Sequence, residues 1–248
     1  MKLARLACVV LLSITASTAN AQAPTATKAA AATDRSVEDL FKAAQNLEGQ
    51  NNFKEAESYY EKIVREIEKE KVKNFPALYR AFNGLGNADL KLKDMAGADL
   101  NYREALSAAV KVYGAGSYDL TKPLISLARV FYQEKKYFDA ATYFKQALAL
   151  VERKSGIEDA EAVSIREKLA ETLERSGSYK ESEVLLKQSL ALREKNGDHN
   201  SPQLLALLNC YSDVLHKTDR VSEAEQIDYQ VDQIHAGKIP ASSTTSAK

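Results

Sequence analysis

The sequence is poor in the two residues that interrupt regular helices, with ten Gly and five Pro among 248 residues. Ala, Leu, Glu and Lys are common instead, and such side chains lose little rotamer freedom in a helix. This composition favours helices over sheet. The length is sufficient for one domain or for a repeat array with a continuous core.

Side chains that perform chemistry are also scarce, with only three His and two Cys. Neither His-Glu-x-x-His nor Cys-x-x-Cys occurs, and His199, His216 and His235 lack ligand spacing, so we predict no metal site. No Gly-x-Ser-x-Gly elbow is present. Gly114-Ala115-Gly116 predicts a turn, because no strand precedes it. We therefore predict no catalytic residue and no cofactor, and an enzyme is disfavoured.

The N-terminus has the pattern of a secretory signal peptide. Lys2 and Arg5 precede an apolar run over 6–19, and Ala19-Asn20-Ala21 has the small residues of a cleavage site. The run is shorter than the roughly 20 residues that cross a bilayer. We predict that residues 1–21 are removed and that the protein is periplasmic or secreted, with a bacterial envelope as its setting. A retained anchor is the alternative.

Cleavage would leave little net charge and one thiol. It removes Lys2 and Arg5 from 34 basic residues and none of the 34 acidic residues. Without an excess of positive charge, nothing indicates a nucleic-acid or anionic-membrane partner. Cys8 is also removed, so Cys210 cannot form an internal disulfide; it either packs unpaired or forms an intermolecular disulfide.

A repeat of 42 residues is the strongest feature of the sequence. One register holds a small residue at every step, and a second holds a large apolar residue four positions later. The first register is Ala56, Ala98, Ala140, Ser182 and Ala224, and the second is Tyr60, Tyr102, Phe144 and Leu186. In the segment between Tyr102 and Ala140, the apolar residues Leu124, Leu127, Ala128 and Phe131 follow helical spacing. Each repeat therefore predicts two helices.

These residues resemble the tetratricopeptide repeat, whose first helix is matched by Phe82-x-x-Leu85-Gly86 and Leu124-x-x-Leu127-Ala128-x-x-Phe131. The long period is similar to the kinesin-light-chain variety. The resemblance implies an all-α fold, a right-handed superhelical solenoid of about five helix-turn-helix repeats. The repeat domain is predicted at 36–236, with repeats at about 37–78, 79–120, 121–162, 163–204 and 205–236. Residues 22–35 and 237–248 are predicted to be a disordered linker and a disordered tail.

The sequence also departs from the family pattern. The closing Pro of the family is replaced by Glu68, Val110, Glu152 and Glu194, which predicts that the second helices run on for about two more turns. Arg166 stands in the register of a large apolar residue in the fourth repeat. Asp89 stands in an aromatic register of the second repeat.

The resemblance implies that the first helices line an inner groove that holds a partner polypeptide. The groove positions of the second and third repeats are cationic with amide donors, which suits an acidic segment or a C-terminal carboxylate. The predicted partner-binding residues are Arg80, Asn83, Asn87, Lys91, Lys122, Arg129 and Tyr132. In the fourth repeat, Glu167, Glu171 and Glu174 are expected to form a solvated acidic face.

Two alternatives to this binding site stay open at the level of sequence. The cationic positions would also fit an ordinary solvated helix face. A non-catalytic protein-interaction scaffold is the predicted function, and a self-assembling envelope component that stacks through its terminal repeats is the alternative. The polar last helix, with Asp228 and Asp232, argues against such stacking.

Overall fold

The computed structural model describes residues 24–70 and 73–238 of the chain. The predicted signal peptide and residues 239–248 of the predicted tail lie outside these residues. Within the described ranges the chain forms ten α-helices and no strand. The all-helical prediction is therefore confirmed.

The ten helices form five consecutive pairs, which we call units 1 to 5. The first helices of the units are α1 (Pro24–Gly49), α3 (Phe75–Leu92), α5 (Thr121–Gln133), α7 (Ala160–Arg175) and α9 (Pro202–Lys217). The second helices are α2 (Phe53–Glu68), α4 (Met95–Tyr113), α6 (Tyr137–Ser155), α8 (Tyr179–Lys195) and α10 (Val221–His235). A short 3-10 helix, Tyr118–Leu120, precedes α5. The second helix of each unit thus begins 42 residues after the second helix of the preceding unit.

The turn inside every unit has the same backbone geometry. One residue adopts a left-handed conformation, and the amide of the next residue donates to the carbonyl five positions earlier, which satisfies an otherwise unpaired end of the first helix. The left-handed residues are Asn51, Lys93, Lys135, Gly177 and Asp219. The corresponding bonds, such as Asp94 N to Asp89 O at 2.9 Å, recur in all five units. The turn geometry therefore recurs with the same period as the sequence pattern.

The core follows the registers that the sequence predicts. The small residues at Ala56, Ala98, Ala140, Ser182 and Ala224 are all fully buried. Gly86 shows why one register must stay small, because a Cβ at that position would lie 2.8 Å from the Tyr102 ring. Close contact between the helices of a unit thus depends on small side chains, while aromatic and branched residues fill the space between them.

Two predicted boundaries differ from the structure. Helix α1 begins at Pro24, so residues 24–35 of the predicted linker are helical; the run of alanines in this segment has high helix propensity. The second helices do not extend for two more turns. Helices α4 and α6 end within three residues of Val110 and Glu152. Gly114 and Gly156 follow with φ of 86° and 90°, and this conformation stops the helix.

Candidate functional site

Arg80, on α3, is turned toward unit 1 rather than left free for a partner. Its Nη1 lies 3.0 Å from Glu38 Oε2 on α1. Its guanidinium also lies 4.0 Å above the centroid of the Phe41 ring. Both members of the ion pair are almost half exposed, so the contact is a modest link between units 1 and 2.

Asn87 accepts a hydrogen bond from a buried tyrosine that joins units 2 and 3. Tyr102, on α4, is 1% exposed, and its hydroxyl donates to Asn87 Oδ1 at 2.7 Å. Burial raises the pKa of Tyr102, while a hydrogen bond with Ser126 and the charge of Arg129 act to lower it. The Tyr102 hydroxyl therefore lies where the exposed faces of α3 and α5 meet.

Three of the predicted cations are exposed without an ion pair among the described residues. They are Lys91 at the end of α3 and Lys122 and Arg129 on α5. Lys122 and Arg129 are seven positions apart, two helical turns on one face. Asn83 is half-buried on α3. The positive charges on α5 are thus uncompensated. Most other charged side chains of the first helices are paired.

Tyr132 is engaged with unit 4. Its hydroxyl donates to Glu171 Oε1 at 2.6 Å, and Lys168 Nζ lies 3.0 Å from Glu171 Oε2. Burial by itself would raise the pKa of Glu171, but the bonds from Tyr132 and Lys168, together with the charge of Arg175, hold that pKa below its ordinary value. Glu171 is therefore an ionised carboxylate that is already bound by donors of the protein.

A pocket of about 250 Å³ opens between α5, α6 and α7. Phe144 is buried and Ile125 is half-buried in its wall, and together they supply its apolar surface. The polar side chains of its wall come from both neighbouring first helices: Arg129, Tyr132, Gln133, Lys168, Glu171 and Thr172. The pocket therefore combines an apolar floor with one unpaired cation on the α5 side and a neutralised carboxylate on the α7 side.

The acidic residues of α7 do not form the solvated face that the sequence suggested. Glu167 accepts two bonds from Arg193, at 2.7 and 2.9 Å, and both side chains are less than one-fifth exposed. Glu174 lies 3.4 Å from Arg175. Burial and the charge of Asp213 raise the pKa of Glu174. Arg193 from α8, together with the neighbouring cations Lys168 and Arg175 of α7, thus pairs with each carboxylate of the expected acidic face.

Cys210, on α9, is only partly exposed. Burial and the nearby carboxylates of Glu174 and Glu171 raise the pKa of its thiol to about 12. Because the thiolate is the species that attacks a disulfide, a raised pKa disfavours attack by this thiol at neutral pH. The structure therefore gives no support to an intermolecular disulfide through Cys210.

No group of three or more His, Cys, Asp or Glu side chains within the described ranges is placed to hold a metal ion. In the same part of the chain, no helix has the length and apolarity needed to span a bilayer.

Comparison with known proteins agrees with the observed fold. Residues 162–196, which cover most of unit 4, match the tetratricopeptide repeat family. The sequence matches no curated protein. Nearly identical TPR-like repeats of a kinesin light chain from Podosopora anserina superpose with a TM-score of 0.68 at 18% identity, over 81% of this chain and 95% of that one. BtubC from P. vanneervenii gives 0.66 at 19% identity, over 90% and 97%.

The fold is a tetratricopeptide-repeat solenoid. A third solved structure, YrrB, described as a TPR protein with an unusual peptide-binding site, aligns with a TM-score of 0.58 at 17% identity over 84% of this chain and 98% of that one. At these identities the likeness concerns the fold of the solenoid.

Two residues of the pocket were missed by the sequence analysis, which placed Glu171 on a solvated face and gave Lys168 no role; Phe144 was placed only in a register of large apolar residues. Tyr102 lies in the same buried register, and its hydroxyl donates to Asn87 on α3. One signal was readable: Glu38 and Arg80 are 42 residues apart, and opposite charges in one register of adjacent repeats predict a contact. Tyr132 and Glu171 lie in different registers, so no such signal was present.

Proposed function

We propose that this solenoid is a non-catalytic protein-interaction scaffold of the periplasm or cell exterior. It binds an acidic or C-terminal segment of a partner protein along the groove lined by α3, α5 and α7. The residues that we assign to this groove are those predicted from the sequence, with Lys122, Arg129, Asn87 and Tyr132 at its centre. Arg80 contributes less, because Glu38 and Phe41 already hold its guanidinium.

The observation that carries this proposal is the unpaired charge of Arg129 in the wall of the pocket, with unpaired Lys122 on the same face of α5. Arg129 offers a planar set of donors that fits a carboxylate, and Lys122 adds a second positive charge two turns away on the same face. A partner carboxylate would therefore meet cations that have no competing anion among the described residues.

The rest of the groove supplies contacts of other kinds. The pocket of about 250 Å³ has room for one apolar side chain, which Ile125 and Phe144 would contact. Asn87 accepts a hydrogen bond from the Tyr102 hydroxyl through Oδ1, so its Nδ2 group is available to donate to a peptide carbonyl. An acidic residue next to an apolar residue is the simplest segment that satisfies these three elements.

Two further considerations support a peptide partner outside the cytoplasm. YrrB, which shares the fold, is described as having a peptide-binding site. The signal-peptide pattern of residues 1–21 supports export, and a single unreactive Cys is compatible with an oxidising compartment.

Charge reversal on α5 tests the proposal. Binding of a labelled peptide that contains an Asp-Leu pair is measured by fluorescence anisotropy for the wild type and for Lys122→Glu and Arg129→Glu. We expect each reversal to weaken binding by about tenfold or more, and added salt to weaken wild-type binding, because the contact is electrostatic.

Lys180→Glu is the matched control, since Lys180 is an exposed lysine on the second helix α8. It should bind as the wild type does. Equal affinity in the wild type and both α5 variants, or an equal loss in the control, would refute binding on the α5 face.

A further inference from the structure

The pocket beside Arg129 already contains a carboxylate that belongs to the protein itself. Glu171 accepts a hydrogen bond from the hydroxyl of Tyr132 at 2.6 Å and another from the ammonium group of Lys168 at 3.0 Å. All three side chains line the pocket. Tyr132 and Lys168 are the kind of donors that a bound carboxylate would use, and Glu171 engages both.

We propose that Glu171 determines which acidic segments the groove accepts. It occupies Tyr132 and Lys168, the donors nearest to α7, so a partner's carboxylate is directed to Arg129 on the α5 side. The residue of the partner that lies over α7 must then be uncharged. A segment with a single acidic residue beside an apolar one fits, whereas two adjacent acidic residues place the second carboxylate against Glu171. This inference rests on the proposed function.

Residues from two units hold Glu171 in place, so its carboxylate acts on one side of the pocket. Lys168 lies one turn before it on α7, while Tyr132 comes from α5 of the preceding unit. Because the hydrogen bond from Tyr132 crosses the groove, it keeps the carboxylate at the pocket wall. The lowered pKa of Glu171 keeps it ionised at neutral pH, so it repels a second carboxylate there.

Lys168 shows what the pocket would do without this carboxylate. In Glu171→Gln, the amide oxygen can still accept from Tyr132, but Lys168 loses its counter-charge. The α7 side of the pocket then changes from neutral to cationic. A second acidic residue of a partner would gain an attractive contact in place of a repulsive one.

Glu174 is a suitable control because it lies one turn further along α7. It is paired with Arg175 and does not line the pocket. Removal of its charge alters the total charge of α7 by the same amount as removal of the Glu171 charge. A difference between the two variants therefore reports position rather than net charge.

The experiment compares two peptides that differ at one residue, one with Asp-Leu and the other with Asp-Asp. Their affinities are measured by anisotropy for the wild type, Arg129→Glu, Glu171→Gln, Glu174→Gln and Lys168→Met. The wild type should prefer Asp-Leu. Glu171→Gln should reduce that preference by about tenfold, mainly through tighter binding of Asp-Asp. Glu174→Gln should leave the preference unchanged, and Lys168→Met should increase it.

The preference between the peptides separates specificity from damage to the fold, since a disturbed groove would weaken both peptides alike. If Arg129-dependent binding is present but Glu171→Gln leaves the preference unchanged, Glu171 does not set specificity and the proposed function stands. If no protein binds either peptide in an Arg129-dependent manner, both the proposed function and this inference are overturned.

Discussion

Unit 2 and unit 4 each contain a charged residue where the repeat pattern calls for a large apolar or aromatic one. Asp89 on α3 is 4% exposed, and Arg166 on α7 is 2% exposed. Arg166 Nη2 lies 2.6 Å from Glu152 Oε1 and 3.0 Å from the carbonyl of Ile157. Among the described residues, the Asp89 carboxylate accepts a side-chain hydrogen bond only from the neutral amide of Asn101, at 2.7 Å.

The difference lies in where the partner comes from. Glu152 belongs to unit 3, at the position where the family has a closing proline, so the Arg166 pair joins two units. Asn101 belongs to the same unit as Asp89, and Glu57 and Asp94 bring further negative charge. Burial and these two carboxylates raise the pKa of Asp89. The Arg166 pair thus links two neighbouring repeats, whereas burial disfavours the charged form of Asp89 within its own repeat.

Among the substitutions that test this comparison, Arg166→Ala should change the free energy of unfolding most. The substitution removes a buried side chain and leaves Glu152, which is 30% exposed, without its partner. We expect a loss of about 3 kcal/mol in the free energy of unfolding, measured by urea denaturation.

A double variant distinguishes loss of the charge pair from loss of volume. Arg166→Leu combined with Glu152→Gln restores an apolar residue to its register and removes both charges. Because one guanidinium nitrogen of Arg166, Nη1, is buried without a partner, we expect this variant to equal or exceed the wild type in stability. A loss as large as that of Arg166→Ala would show that the pair itself is required.

Asp89→Asn should act in the opposite direction and stabilise the protein by about 1 kcal/mol at pH 7, because the buried charge is removed. A carboxyl whose pKa is raised on folding binds its proton more tightly in the folded state, so the wild type gains stability as the pH falls toward the unfolded pKa. The advantage of Asp89→Asn should therefore shrink in acid. Urea midpoints at pH 7 and pH 5 test this, and an advantage that grows in acid would contradict it.

The smallest effect concerns the turns of units 3 and 4. Lys135 has φ of 61° where unit 4 has Gly177 at 80°. Since glycine adopts this conformation without steric cost, Lys135→Gly should raise the free energy of unfolding by about 0.5–1 kcal/mol. Gly177→Lys should lower it by a similar amount. Thermal unfolding of both variants checks the pair, and changes of the same sign would contradict it.

The repeat pattern allowed the fold to be predicted because it encodes local geometry. Small residues recur where helices meet closely, and the left-handed turn recurs at the same spacing even though only one of its five residues is glycine. Helix ends were predicted less well. A missing proline permits a longer helix but does not require one, and Gly114 and Gly156 end α4 and α6 instead.

The candidate site was less predictable, because long side chains find partners in other units. The positions of Arg80 and Tyr132 on their helices follow from the repeat, but their contacts with Glu38 and Glu171 depend on how adjacent first helices are offset. Arg129 and Lys122 stand out only after the pairing of the other charges is known.

Zero-length cross-linking tests the central claim most directly. A carbodiimide joins a carboxylate of a bound acidic peptide to a lysine amine in contact with it, and mass spectrometry identifies the lysine. We expect the cross-link at Lys122 on α5, with Lys91 next, because both amines are exposed and unpaired on the first-helix face. Preferential cross-linking to Lys180 on α8 or Lys111 on α4 would place the partner on the second helices and contradict the account.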